Sequence, residues 1–178
     1  PHFVTSVHGP YSVNRYSKIM TRGEKVIAIS EFIYNYIQQN YADVDLGKVS
    51  IIHRGVDPEL FNIAYKPSST WLENWHASNP HLSGKIIITL PARITRWKGQ
   101  HDFINIIEKL VNQKIEVHGL IVGGADSRRE AYFQELKNRV STLKLQKNIS
   151  FLGHRSDIKD VMSISNFVMS LAKEPEAF

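Results

Sequence analysis

From Lys85 onward the chain alternates short apolar runs with amphipathic stretches, and few folds satisfy that pattern. Ile86-Ile87-Ile88-Thr89-Leu90 reads as a strand. Phe103, Ile106, Ile107, Leu110 and Val111 follow at the i, i+3, i+4, i+7, i+8 spacing of one helical face. Val117 to Val122 is the next strand, ending at Gly123-Gly124, and Phe133, Leu136, Val140 and Leu143 mark another helix. Asn148 to Leu152 reads as a strand, Asp157 to Ser163 as a short helix and Phe167 to Leu171 as the last strand. The order β-α-β-α-β-α-β predicts an α/β fold with a Rossmann-like parallel sheet.

The first third repeats the theme. Phe3 to Val7 predicts a buried strand ending at His8-Gly9, and Lys25 to Ile29 a second strand. Ser30 stands at a helix N-cap, with Phe32, Ile33, Tyr36 and Ile37 on one face behind it. Val49 to His53 is the third strand, closed by Arg54-Gly55-Val56-Asp57-Pro58. The stretch 58–84 carries Pro67, Pro80 and Asn and Ser clusters, with one helical candidate around Trp71 to Trp75. It reads as a linker between a domain ending near residue 56 and another covering 57–178.

Right-handed crossovers place the C-terminal ends of parallel strands on one edge, where ligands of such sheets bind. That rule selects His8-Gly9, Ser30, Arg54-Gly55, Arg93 to Lys98, Gly123-Gly124, His154-Arg155 and Glu174 to Phe178. Arg93 and Lys98 precede the best helix, whose N-terminus favours anions, and they add a guanidinium fork and a mobile ammonium for phosphate. Gly123 would let a ligand approach the backbone closely. Neither the G-x-G-x-x-G nor the G-x-x-x-x-G-K-[ST] spacing occurs, which argues against NAD chemistry and P-loop hydrolysis.

Composition narrows the classes further. The 178 residues contain no cysteine, which excludes disulfide scaffolds and thiolate metal sites. The eight histidines lack metal-ligand spacing, and Asp43-Val44-Asp45 falls on the wrong sheet edge for a divalent-metal pair, so no metal is expected. The net charge of +5 suits anionic ligands, but it is spread along the chain without a basic-aromatic tract, so nucleic acid is not expected. No apolar run approaches the ~20 residues of a membrane span. No leader pattern opens the chain, and its start without Met is read as a trimmed one.

Several of these segments, taken in order, resemble retaining glycosyltransferases of the two-domain GT-B fold, family four (group 1 glycosyltransferases). Val26-Ile27-Ala28-Ile29-Ser30-Glu31-Phe32 looks like the end of that family's acceptor domain. Ile51 to Asp57, followed by Phe61, resembles its "NGVD…F" interdomain segment, with Arg54 in place of the commoner Asn. Arg93 and Lys98 fit its R-x4-K diphosphate clamp. Leu120 to Gly124 and Ile149 to His154 match its nucleotide-domain strands, and Glu176-Ala177-Phe178 matches the start of an E-x7-E motif.

The resemblance implies an acceptor-domain tail over 1–56 and a donor-binding domain over 57–178, incomplete at its C-terminus. Transfer from a nucleotide-diphosphate sugar to a glycan or lipid-linked acceptor is expected, with retention and without a cofactor. Bacterial surface-glycan or lipopolysaccharide synthesis is the implied setting. Arg93 and Lys98 would hold the donor diphosphate, Glu176 the donor's ribose or sugar hydroxyls, and Arg155 would lie beside the base, mainly through its backbone. His8 would face the transferred sugar. The expected compartment is the cytoplasm or the inner membrane face, any membrane contact being made by regions outside this chain. As a fragment trimmed at both ends, the chain is expected to be inactive alone. A non-catalytic nucleotide-binding module, and an epimerase or phosphorylase on the same fold, stand as alternatives; the donor base and oligomeric state are open.

Overall fold

Among residues 2–174 and 177, which the computed structural model describes, the apolar runs form seven strands in two wholly parallel sheets. The described residues divide into two compact units, one up to Pro58 with Ala177 and the other Glu59–Glu174.

The first unit has strands β1 (Val4–Val7), β2 (Lys25–Ala28) and β3 (Val49–Ile51), side by side in that order. Helix α1 (Glu31–Asn40) starts at Ser30, whose Oγ accepts the Ile33 N–H at 3.3 Å. That bond satisfies one of the donors a helix start leaves open. Val7, Val26, Ala28, Ile29, Ile33 and Ile37 form the core. Two expectations need correction. Phe3 and Val4 are about half exposed, so only Val7 anchors the first strand in the core. Phe32 also faces outward, and Tyr34 packs against the core in its place.

In the second unit β4 (Ile86–Pro91), β5 (Val117–Val122), β6 (Ile149–Gly153) and β7 (Phe167–Val168) lie in the order β6-β5-β4-β7. Every residue of β5 is buried, as a central parallel strand covered on both faces must be. On one face Ile88, Leu90, Val117 and Ile121 meet α3 (Gln100–Asn112) and α4 (Glu130–Thr142) through Phe103, Ile104, Ile107, Leu136 and Val140. On the other, Ile87, Leu120 and Val122 meet α2 (Ser69–Ser78) and α5 (Ile158–Ser163) through Trp75 and Val161. The period-2 alternation of β4 and β5 divides their side chains between these two faces.

Helix α2 is longer than the short candidate seen in the sequence. Its N-cap Ser68 accepts the Trp71 N–H at 3.2 Å, and Trp71 stacks on Trp75 with ring centroids 5.1 Å apart. Trp75 and Leu82 are buried against the sheet, so residues 69–82 contribute to this unit's core. The last strand is shorter than expected. After Met169, whose N–H donates to the Thr89 carbonyl, the chain leaves the sheet and its Lys173 N–H donates to the Trp97 carbonyl at 2.8 Å.

Candidate functional site

Three loops leave the C-terminal ends of β4, β5 and β6, and main-chain hydrogen bonds lace them together. The Ala92 N–H donates to the Val122 carbonyl (2.9 Å), the Ile94 N–H to Gly124 (3.0 Å) and the Gly123 N–H to Gly153 (2.8 Å). Gly123 is required by that closeness, since a Cβ there would lie 2.1 Å from the Ala92 carbonyl oxygen. A larger residue would separate the first two loops.

Arg93 stands exposed between two open hollows that share it with His154. One, of about 320 Å³, is bounded also by Thr95, Gly124, Asp126 and Arg129. The other, of about 220 Å³, is bounded by Ala92, Gly123, Arg155 and Ile158. A larger hollow of about 420 Å³ shares no residue with either and lies between the 61–65 segment, α5 and Val168. Of its lining residues only Lys159 is cationic, with its Nζ 3.8 Å from the Tyr65 ring centroid, whereas Arg93, Arg129 and Arg155 border the smaller pair. The smaller pair therefore fits an anionic ligand better.

Lys98 ends the 3-10 turn Arg96–Lys98 and lies with its Nζ 4.3 Å from the Trp97 ring centroid. It sits immediately before Gly99, the residue from which α3 starts. The segment after β7 runs along this turn, and the Lys173 Nζ reaches the Asp102 carboxylate at 2.9 Å. The structure thus brings together the Arg93 loop, Gly123-Gly124, His154-Arg155 and the approach to Glu174. Glu176 lies outside the described residues.

Arg155 is committed locally. Its Nε donates to the Asp157 carboxylate at 2.7 Å, and its guanidinium lies 5.7 Å from the Trp75 ring. The Trp71 Nε1–H donates to the same carboxylate at 2.8 Å. The Arg155 hydrogen bond is the main reason the Asp157 carboxyl is held below its usual range; burial opposes the shift and the Trp71 bond adds to it. The Arg155 guanidinium is thus held by Asp157 at the wall of the smaller hollow.

His8 is exposed beyond β1 in the first unit, on the edge from which Ser30 and Arg54 also follow their strands. Asp126 and Arg129 were not singled out in the sequence. They follow β5, so the strand-edge rule points to them once the loop is read as far as the next helix. Among the described residues no group of three or more His, Asp or Glu is placed to hold a metal. No described helix is long and apolar enough to cross a membrane.

The family model "Glycosyl transferases group 1" matches residues 72–178. A glycosyltransferase from Rickettsia africae is 33% identical with a TM-score of 0.81, over 98% of this chain and 46% of that one. Anabaena HepE, solved with UDP and glucose, is 24% identical with a TM-score of 0.82, over 98% of this chain and 47% of that one. WaaG, a glycosyltransferase involved in lipopolysaccharide biosynthesis, is 17% identical with a TM-score of 0.66, over 85% of this chain and 39% of that one. These last two likenesses show a shared fold. The chain thus spans less than half the length of each of these structures. A search of curated protein sequences gave no match. With parallel α/β units of the GT-B kind and the family model covering well over half its length, the chain belongs to the group 1 glycosyltransferases.

Proposed function

We propose that Glu59–Glu174 carries the donor side of a retaining glycosyltransferase that uses a nucleotide-diphosphate sugar. The observation that supports this reading is the position of Arg93, exposed between two hollows at the C-terminal edge of a parallel sheet. Lys98 follows five residues later, at the start of α3.

Cleavage of the anomeric C–O bond leaves negative charge on the departing diphosphate. Positive groups fixed at that phosphate stabilise the transition state more than the ground state, which is the role proposed for Arg93 and Lys98. The acceptor hydroxyl adds to the anomeric carbon from the face the diphosphate leaves, and its proton passes to a departing phosphate oxygen. This route needs no protein nucleophile and assigns charge neutralisation to side chains in place of a metal. His8 facing the sugar, and Glu176 on the donor hydroxyls, are roles that rest on the sequence resemblance alone. So do a cell-surface or lipid-linked glycan as acceptor and a cytoplasmic or inner-membrane-face setting.

Calorimetric titration with UDP, GDP and ADP tests the donor site. UDP is the first probe, because Anabaena HepE was solved with it. Arg93→Ala is expected to weaken nucleoside-diphosphate binding by about ten- to a hundredfold, the range of a lost charge-assisted hydrogen bond. The phosphate-free nucleoside should bind the variant as it binds the wild type. Equal loss for both ligands would place Arg93 at the base and overturn the clamp assignment. Binding without transfer is the expected behaviour of the 178 residues alone.

A further inference from the structure

Gln100 is a polar side chain with no exposed surface, in the first turn of α3. Such a residue costs stability unless both ends of its amide are matched, and here both are. Its Nε2–H donates to the Arg93 carbonyl at 2.8 Å, and its Oε1 accepts the Tyr132 hydroxyl at 3.3 Å.

The second partner is itself fixed from several sides. The Tyr132 ring is 6% exposed, with the Arg96 guanidinium 4.7 Å from its centroid and the His101 ring 5.6 Å away. Arg96 grips Glu135 with both terminal nitrogens, and His101 Nε2 lies 2.8 Å from the same carboxylate. Tyr132 and Glu135 are one turn apart on α4, while Gln100 and His101 are neighbours on α3. The 93–96 loop is thereby tied to two helices at once.

We infer that Gln100 is a positioning residue that fixes the main chain of Arg93, through a chain running from α4 by way of Tyr132. The peptide groups around Arg93 are anchored at three successive points. They are the Ala92 N–H on Val122, the Arg93 carbonyl on Gln100 and the Ile94 N–H on Gly124. Two of these anchors belong to the β5 loop, whereas the third reaches the helices. A long arginine side chain has many rotamers, so fixing its root restricts where the guanidinium can lie. The inference rests on the donor-site reading for its functional consequence, but the anchoring itself does not depend on it.

The test uses the full chain and two readouts. Gln100→Met keeps the length and helix preference of the side chain while removing the donor. Tyr132→Phe keeps the ring but removes the hydroxyl, and serves if the first variant fails to fold. Hydrogen exchange at the Ile94 and Lys98 amides is expected to quicken about tenfold in Gln100→Met, the scale of one lost hydrogen bond. Exchange in β5 and the later turns of α3 should be unchanged. UDP binding should weaken by about five- to tenfold, with a smaller change in Tyr132→Phe.

Unchanged exchange at the two loop amides in Gln100→Met overturns the inference. So does an acceleration spread equally over the whole unit, which would make Gln100 an ordinary core residue. A wild-type chain that binds no nucleoside diphosphate overturns the donor-site reading, and the exchange measurement then decides the anchoring by itself. Loss of UDP affinity in Arg93→Ala but not in Gln100→Met leaves the clamp standing and removes the positioning role.

Discussion

Gly99→Ala is expected to destabilise the second unit by about 2 to 5 kcal/mol, the sum of a left-handed backbone and an overpacked contact. Gly99 has φ +76°, and a Cβ at this position would lie 2.1 Å from the Leu171 carbonyl oxygen and 2.7 Å from its Cβ. The neighbour is main chain, so a change of rotamer cannot relieve the clash. Relief requires Leu171 to move away from the turn that ends in Lys98. Gly84→Ala provides the control, because Gly84 has φ +75° and a Cβ there would meet no atom within 4 Å. It should cost only the conformational part, about 1 to 2 kcal/mol. Denaturant titration of both variants measures the difference, which is the worth of the close approach. Equal losses would show that Leu171 yields freely. Nucleotide affinity should fall in Gly99→Ala and stay unchanged in Gly84→Ala, since only the former displaces the turn carrying Lys98.

Acid is expected to weaken the same unit through His118. This residue is 1% exposed on the α2 side of β5, and its pKa is lowered from 6.5 to about 4. Burial is the main cause, and the positive charges of Lys85 and His81 add to it. Its Nε2 lies 2.9 Å from the Ser150 Oγ, the His81 ring stands edge-on at 5.2 Å, and Nδ1 is buried without a partner. The Lys147 backbone carbonyl favours the protonated ring and opposes the shift without cancelling it.

Between pH 6.5 and about 4 the unfolded chain therefore binds a proton that the folded chain refuses. Stability is complete above that window and falls as the pH drops through it, by about 3 kcal/mol in total. Carboxylates such as Asp157, whose pKa is lowered, also lose stabilisation in acid, so the isolating measurement compares wild type with His118→Gln. The variant should lose the part of the slope between pH 6.5 and about 4. An imidazole midpoint near 6.5 by NMR would remove this explanation.

How far the sequence was legible differs between elements. Helix α3 was plain because five apolar residues kept a helical spacing. Phe103 and Ile107 of that stripe are fully buried, but Ile104, outside it, is fully buried while Ile106 is only partly so. Phe32 was misplaced in the same way. Phe32 and Tyr34 flank the buried Ile33–Ile37 face on opposite sides, and the sheet beneath decides which of them it covers. Gln100 carried a signal of its own. It lies at i−3, i−4 and i−7 from Phe103, Ile104 and Ile107, on the face that becomes buried. A polar residue in that register needs a partner, but the register does not say which one. Arg155 showed a further limit, since its neighbour Asp157 was in view but Trp71 and Trp75, some eighty residues earlier, were not.

By itself the sequence determined the parallel α/β architecture, the loops at the strand ends and the family. The architecture and the loops follow from periodicities that a few consecutive residues carry, because backbone geometry repeats every 2.0 residues in a strand and about 3.6 in a helix, whereas the family follows from the resemblance of short motifs. Only the tertiary structure decided which loops touch, that Arg93 is anchored through Gln100 to α4, and that Leu171 closes over Gly99. Those contacts join residues far apart in the chain. They depend on how side-chain volumes interlock when helices settle on a sheet, and no local repeat records that.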